Sequence, residues 1–319
     1  QHITVVKGYG GKNYALLSMG GKGIGVVDIT TPETMAYVRT MTVGDYATPA
    51  YTYSDGGGTV WTEPAATRTG GSVNDLLVDD SDGTTGATPD DQLFIANTAY
   101  GIQKTKLSNL MGGADGGALP VESGVWTLKY AGENPWGGPL SLKMHGGKLY
   151  AALGFLGIGI YDPADLTAPR LGAYNLYADC ANPAQEDWFG YPKRKIKCPG
   201  AGLTAVANGV DADGMPTYQQ AAAELAEKNN LGWYPWAEFD KYGKYYYNAR
   251  TMDLVEVGGR TVAYIAYSLS GLVAVNVTNP AAPAYEGYVP AAPAHGPDEP
   301  PINVDSNSIM SHFGSGMLK

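Results

Sequence analysis

No apolar run in this chain of 319 residues approaches the roughly 20 residues that a membrane-crossing helix needs. Cysteine is nearly missing as well. There are two, with no Cys-x-x-Cys-His among them, so the chain cannot by itself hold a covalent c-type haem. Two cysteines without a neighbouring histidine pair also fall short of a structural zinc ligand set. Charge is scarce: Asp, Glu, Lys and Arg make up 16%, and acids outnumber Lys plus Arg by 31 to 21, for a net charge of −10. Such a surface repels phosphate backbones, so no nucleic-acid partner is expected. There is no Gly-x-Ser-x-Gly elbow, and Gly314-Ser315-Gly316 has the wrong spacing for one. Gly20 to Gly25 lacks both the Ser or Thr after Lys22 and the following helix of a phosphate cradle, and is expected to be a strand-connecting turn. The four histidines, His2, His145, His295 and His312, show no metal-ligand spacing.

What the chain has in quantity is turn chemistry: 44 Gly and 21 Pro, beside 44% hydrophobic residues. That combination predicts many short strands around a sizeable core. Four copies of one pattern carry the prediction further. Gly10 to Leu16 leads to Gly25-Val26-Val27-Asp28, and Gln92 to Ala96 leads to Gly101-Ile102-Gln103-Lys104. Gly146 to Ala152 leads to Gly159-Ile160-Tyr161-Asp162, and Gly258 to Tyr264 leads to Gly271 through Asn276. Each copy is a turn, an apolar strand, a second glycine turn and a second apolar strand. Flanking segments extend each to a four-stranded meander: Ile3 to Thr42, Val73 to Leu128, Leu140 to Tyr174, and Met252 to Val289. Near-continuous apolar strands suit sheets covered on both faces. An Asp or Asn closes three of the motifs, at Asp28, Asp162 and Asn276. Such a residue is expected to bond its own backbone two residues on, in an exit turn that proline keeps from continuing as strand. In the second copy the corresponding exit falls at Leu107-Ser108-Asn109. Asn276-Val277-Thr278 matches a glycan acceptor inside one of these turns.

Hairpin units recurring along the chain, at irregular spacing, predict an all-β, radial repeat fold. The stretches Gly23-Ile24-Gly25-Val26-Val27-Asp28, Gly157-Ile158-Gly159-Ile160-Tyr161-Asp162 and Gly271-Leu272-Val273-Ala274-Val275-Asn276, each with its turn, resemble the LVIVD-repeat family of β-propellers. Gly101 to Lys106 is a degenerate copy. The resemblance covers most of the chain outside 43–72 and 177–248. It implies a propeller of four-stranded blades across residues 1–319, interrupted by one loop-and-helix insertion. It implies an exported or cell-surface protein and no particular reaction. A propeller closes its ring or leaves raw edges. Ile302-Asn303-Val304 and Gly314 to Lys319 read as the opening of another blade, so missing sequence or another chain is expected to complete the ring. The chain opens without Met directly into His2 to Val6, which reads as a mature exported form.

The insertion, 178–248, is the most individual segment. It holds Cys180 and Cys198. A disulfide between them would close the loop for about 3 kcal/mol and imply an oxidising compartment; two free thiols would fit a reducing one. It holds the basic cluster Lys193, Arg194, Lys195 and Lys197, suited to an acidic partner, and a helix expected over Tyr218 to Lys228 between the cap Thr217 and the stop Gly232. Twelve of the 34 aromatics lie between Trp188 and Tyr247. Trp188, Trp233 and Trp236, with Lys193, Arg194 and Lys195, are therefore the candidate partner-binding residues; the alternative is that the rings form the insertion's own core. Asp80 and Asp82, within the acidic stretch Asp79 to Asp91, are candidate calcium ligands, although Val78 and Pro89 occupy positions where a calcium loop needs oxygen. Solvated turns are the competing reading. Glu122, Glu133, Asp187 and Glu238 are the carboxylates able to converge at a channel mouth.

The resulting expectation is a non-catalytic, secreted, periplasmic or cell-surface module with another protein subunit as partner, with no cofactor unless calcium. The alternatives are a metal-assisted hydrolase or oxidoreductase at the central channel, and a carbohydrate-binding propeller.

Overall fold

The protein is all-β. A computed structural model describes residues 2–44, 46–48, 51–54, 60–63, 66–68, 71–79, 86–97, 101–125, 138–154, 157–168, 171–174, 249–266 and 272–289. Four antiparallel meanders account for most of these residues. Sheet 1 holds β1 (Ile3–Tyr9), β2 (Lys12–Ser18), β3 (Ile24–Asp28) and β4 (Ala36–Val43). Two ribbons follow, β5 (Tyr46–Thr48) with β8 (Ala66–Arg68), and β6 (Tyr51–Ser54) with β7 (Val60–Glu63). Sheet 2 holds β9 (Val73–Asp79), β10 (Gln92–Asn97), β11 (Gly101–Lys106) and, after α1 (Leu107–Gly112) and β12 (Ala118–Leu119), β13 (Ser123–Val125). Sheet 3 holds β14 (Ser141–His145), β15 (Lys148–Ala152), β16 (Ile158–Tyr161) and β17 (Gly172–Tyr174). Sheet 4 holds β18 (Thr251–Val257), β19 (Arg260–Ala266), β20 (Leu272–Asn276) and β21 (Ala284–Val289).

The sheets stack face to face in chain order, and the period-two alternation of their strands is what allows it. In β10, Leu93 and Ile95 join Val6, Leu16, Ile24 and Val26 of sheet 1 in one core, while Phe94 and Ala96 point the other way. Those two meet Leu142, Leu149 and Ala151 of sheet 3. In β15 the division repeats, with Tyr150 and Ala152 meeting Met252, Ala263, Ile265, Val273 and Val275 of sheet 4. Sheets 2 and 3 are thus covered on both sides, which is why their strands read as unbroken apolar runs. Each large aliphatic or aromatic side chain so buried contributes about 1.5–3 kcal/mol.

Backbone devices repeat with the sheets. Gly20 and Val73 exchange two hydrogen bonds, of 3.0 and 3.1 Å, that tie the turn after β2 to the start of sheet 2. Gly154 and Ala249 do the same, at 3.1 and 2.9 Å, between sheets 3 and 4. The exit turns form as the sequence predicts. Thr30, Ala164 and Thr278 donate their backbone N–H to Asp28, Asp162 and Asn276 at 2.9, 2.8 and 3.0 Å. Asn276, which opens the Asn-Val-Thr match, therefore has its side-chain oxygen engaged in the turn.

The second copy departs from the pattern. Where an exit turn is expected, Leu107, Leu110 and Met111 of α1 cap the core between sheets 1 and 2. The chain then runs back as β12, which pairs parallel with β4 as a fifth strand of sheet 1. Of Gly20 to Gly25, expected as a strand-connecting turn, Gly20 to Gly23 form the turn between β2 and β3, while Ile24 and Gly25 already belong to β3.

Candidate functional site

The first strands β1, β9, β14 and β18 lie side by side in that order, and a seam of polar side chains runs along them. Thr4 donates its hydroxyl to the Leu76 carbonyl. Ser18 donates to Asn74 O at 2.8 Å and accepts from the His2 backbone N–H at 2.6 Å. Asn74 donates through Nδ2 to Pro139 O at 3.0 Å. Asp75 is buried, and its carboxylate accepts the Leu76 N–H at 2.9 Å and the Leu142 N–H, from the next sheet, at 2.8 Å. His2 Nδ1 stands 3.5 Å from the same carboxylate. Between sheets 3 and 4 the Thr251 hydroxyl bonds Ser141 Oγ at 3.4 Å, and Lys143 lies 3.6 Å from Asp253. Thr4 shares a strand face with Val6, and Asp75 with Leu77, so these groups lie beside the apolar cores between sheets, and each is satisfied by a neighbouring sheet. Chemically they act as acceptors and donors that fix inter-sheet register.

A second polar group lies at the outer hairpins of sheets 3 and 4. His145 Nε2 donates to Glu256 Oε1 at 2.7 Å, and the Thr261 hydroxyl donates to the same oxygen at 2.8 Å. The His145 bond first, and then the Thr261 bond, hold the Glu256 carboxyl below its ordinary range. Burial, and secondly the Glu256 charge, push the Tyr150 hydroxyl up. His145 ends β14 at the Gly146-Gly147 turn, and its role in bridging to sheet 4 was invisible without the neighbouring sheet. Lys104 bridges the other way, donating to Pro163 O at 2.8 Å with its ammonium 5.8 Å from the Phe94 ring centroid.

At the end of β3, Asp28 is held down at about 2, first by the hydrogen bond from Lys12 Nζ at 2.8 Å, then by Thr30. Its ordinary value is 3.8. The folded value lies below the unfolded one, so this contact stabilises the native state above pH 3.8 and its contribution disappears as pH falls towards 2. Lys12→Met is expected to move the Asp28 midpoint up towards its ordinary value in a carboxyl-carbon NMR titration. An unmoved midpoint would refute the assignment to Lys12.

The partner-binding candidates Trp188, Lys193, Arg194, Lys195, Trp233 and Trp236, the calcium candidates Asp80 and Asp82, and Cys180 and Cys198 all lie outside the described residues. So do the helix expected over 218–228 and the carboxylates Glu133, Asp187 and Glu238. Of the described acids, Asp90 pairs with Lys106 at 3.0 Å, and Asp91 accepts the backbone N–H and hydroxyl of Thr88 at 2.8 and 2.7 Å. Glu122 accepts from Asn109 Nδ2 at 3.1 Å. These three serve local structure. Among the described residues no three His, Cys, Asp or Glu side chains stand together as a metal site. No helix among the described residues is long and apolar enough to cross a membrane. Compared with known families and characterised proteins, the chain matches no family model and no curated protein.

Proposed function

We propose that the four sheets are successive blades of an LVIVD-like β-propeller and that the chain is an exported, non-catalytic module that binds another protein. The observation that carries this reading is the repeated inter-sheet device. Gly20–Val73 and Gly154–Ala249 tie successive sheets at the turn after the second strand in the first and third repeats, and Thr4, Asp75 and Ser141 each bond from one first strand to the next. A scaffold whose first-strand polar groups fix its own register presents function on what departs from the repeat. That departure is the 178–248 segment with its tryptophans and basic cluster, and its partner is a protein with an acidic, aromatic-accepting face. Removing residues 185–198 is expected to abolish co-purification of the partner while leaving the β-rich circular dichroism intact. Unchanged co-purification would refute the assignment. Export is tested by intact mass with and without reductant, where a Cys180–Cys198 disulfide gains two hydrogens on reduction.

A further inference from the structure

The stacking pattern leaves one face of sheet 1 and one face of sheet 4 without a described sheet against them, and register shows what each matches. In sheets 2, 3 and 4 the first-strand residue opposite the fourth residue of the second strand is Leu76, Leu142 and Leu254. Each packs onto the preceding sheet. In sheet 1 this position is Val5, opposite Ala15. Val5 is 51% exposed, with Ile3 at 69% and Tyr37 at 62% on the same face.

Sheet 4 shows the reciprocal feature. Thr4, Asp75, Ser141 and Asp253 share one register position, opposite the fifth residue of the second strand. The first three each bond to the following sheet. Asp253 adopts the Asp75 arrangement, its Oδ1 accepting the Leu254 N–H at 3.1 Å as Asp75 Oδ1 accepts the Leu76 N–H at 2.9 Å. Its side chain nevertheless stays 51% exposed, and Val255 and Val257 beside it are 42% and 39% exposed. Val262 on that face is already covered, which centres the open area on the first strand.

We infer that these faces meet each other between two copies of this chain, sheet 4 of one copy stacking on sheet 1 of the next. Such a contact continues an interface used three times within the chain, always joining one face of a sheet to the opposite face of its successor. Among the described residues one combination stays open, and a second copy offers it, with Val5 in the Leu142 position beneath Asp253. The contact is head-to-tail rather than self-complementary. The inference rests on the blade-by-blade stacking and is independent of the partner bound by 178–248.

Sedimentation velocity over a concentration series tests it, with circular dichroism as the check on folding. Wild-type protein is expected at twice the chain mass or a higher multiple. Val5→Lys and Val255→Lys, each at an exposed position that tolerates lysine in the monomer, are expected to weaken association by about 30-fold or more. Their one-to-one mixture is decisive: Val5→Lys keeps sheet 4 open, Val255→Lys keeps sheet 1 open, and the two associate as a mixed dimer while each alone is monomeric. A monomeric wild type, or one variant that dimerises alone, would overturn the head-to-tail contact and leave co-purification through residues 185–198 as it was.

Discussion

Asp75→Ala is expected to destabilise the protein by about 3 kcal/mol, read as a lowered urea midpoint at unchanged m-value. Asp75 is 6% exposed, and its carboxylate accepts two buried backbone N–H groups, one from its own strand and one from Leu142 in the next sheet. Removing it strands both donors in a region where water does not compensate them. A hydrogen bond to a charged acceptor is worth about 1.5–3 kcal/mol, and an orphaned buried donor costs about 1–3 kcal/mol. Asp253→Ala is the internal control, with both substitutions compared in the monomeric Val5→Lys background. Asp253 has the same register position and the same Oδ1 bond, but it is half exposed and no described sheet follows it. The loss there is expected to stay under about 1 kcal/mol. Equal losses at the two positions would remove the Leu142 contact as the reason for the Asp75 effect.

Gly23→Ala is expected to cost at least about 3 kcal/mol, and far-UV circular dichroism at 25 °C should show whether sheet 1 still forms. Gly23 has φ of +87°, and a Cβ there would overlap the Met41 carbonyl oxygen and crowd Thr42 Cα on β4. The conformation is fixed by the turn: Met19 donates to Gly23 O at 2.9 Å, and Gly23 donates to Gly20 O at 3.0 Å. Neither the turn nor β4 can yield without breaking the β3–β4 ladder. Gly10 provides the contrast, with φ of +57° and no neighbouring atom within 4 Å of where a Cβ would sit. Gly10→Ala is expected to cost only about 1 kcal/mol, the strain of the left-handed backbone itself. A tolerated Gly23→Ala would refute the close approach of β3 and β4.

Much of this organisation was legible in the residue pattern. The hairpins at Gly10-Gly11, Gly146-Gly147 and Gly258-Gly259 form where they are expected, because adjacent glycines supply the positive φ that these tight turns require. Asp28, Asp162 and Asn276 close their turns because a short side-chain acceptor reaches the backbone two residues on. The helix at Leu107 to Gly112 was not legible. Its six residues are too few for a helical period to declare itself, and its stability comes from Leu107, Leu110 and Met111 entering a core built by other segments. The return of β12 to pair with β4 was hidden for the same reason: two residues of strand carry no pattern, and the pairing partner lies about 75 positions away, as the Thr42–Gly117 bond measures.

The sites divide similarly. Asp75 looked like one acid among many, because nothing local distinguishes a carboxylate that meets Leu142 from one that meets solvent, and Asp253 in the same register proves the point. The aromatic and basic residues of 178–248 stood out by composition alone, since they break the repeat.

Local chemistry settled the strands, the turns and their fourfold recurrence, since backbone conformation and short-range hydrogen bonds depend on neighbours in sequence. Which face of each sheet is covered, which acid is buried, and how β12 joins another sheet depended on segments brought together from far along the chain. Burial is a property of that assembly, and no residue carries it alone.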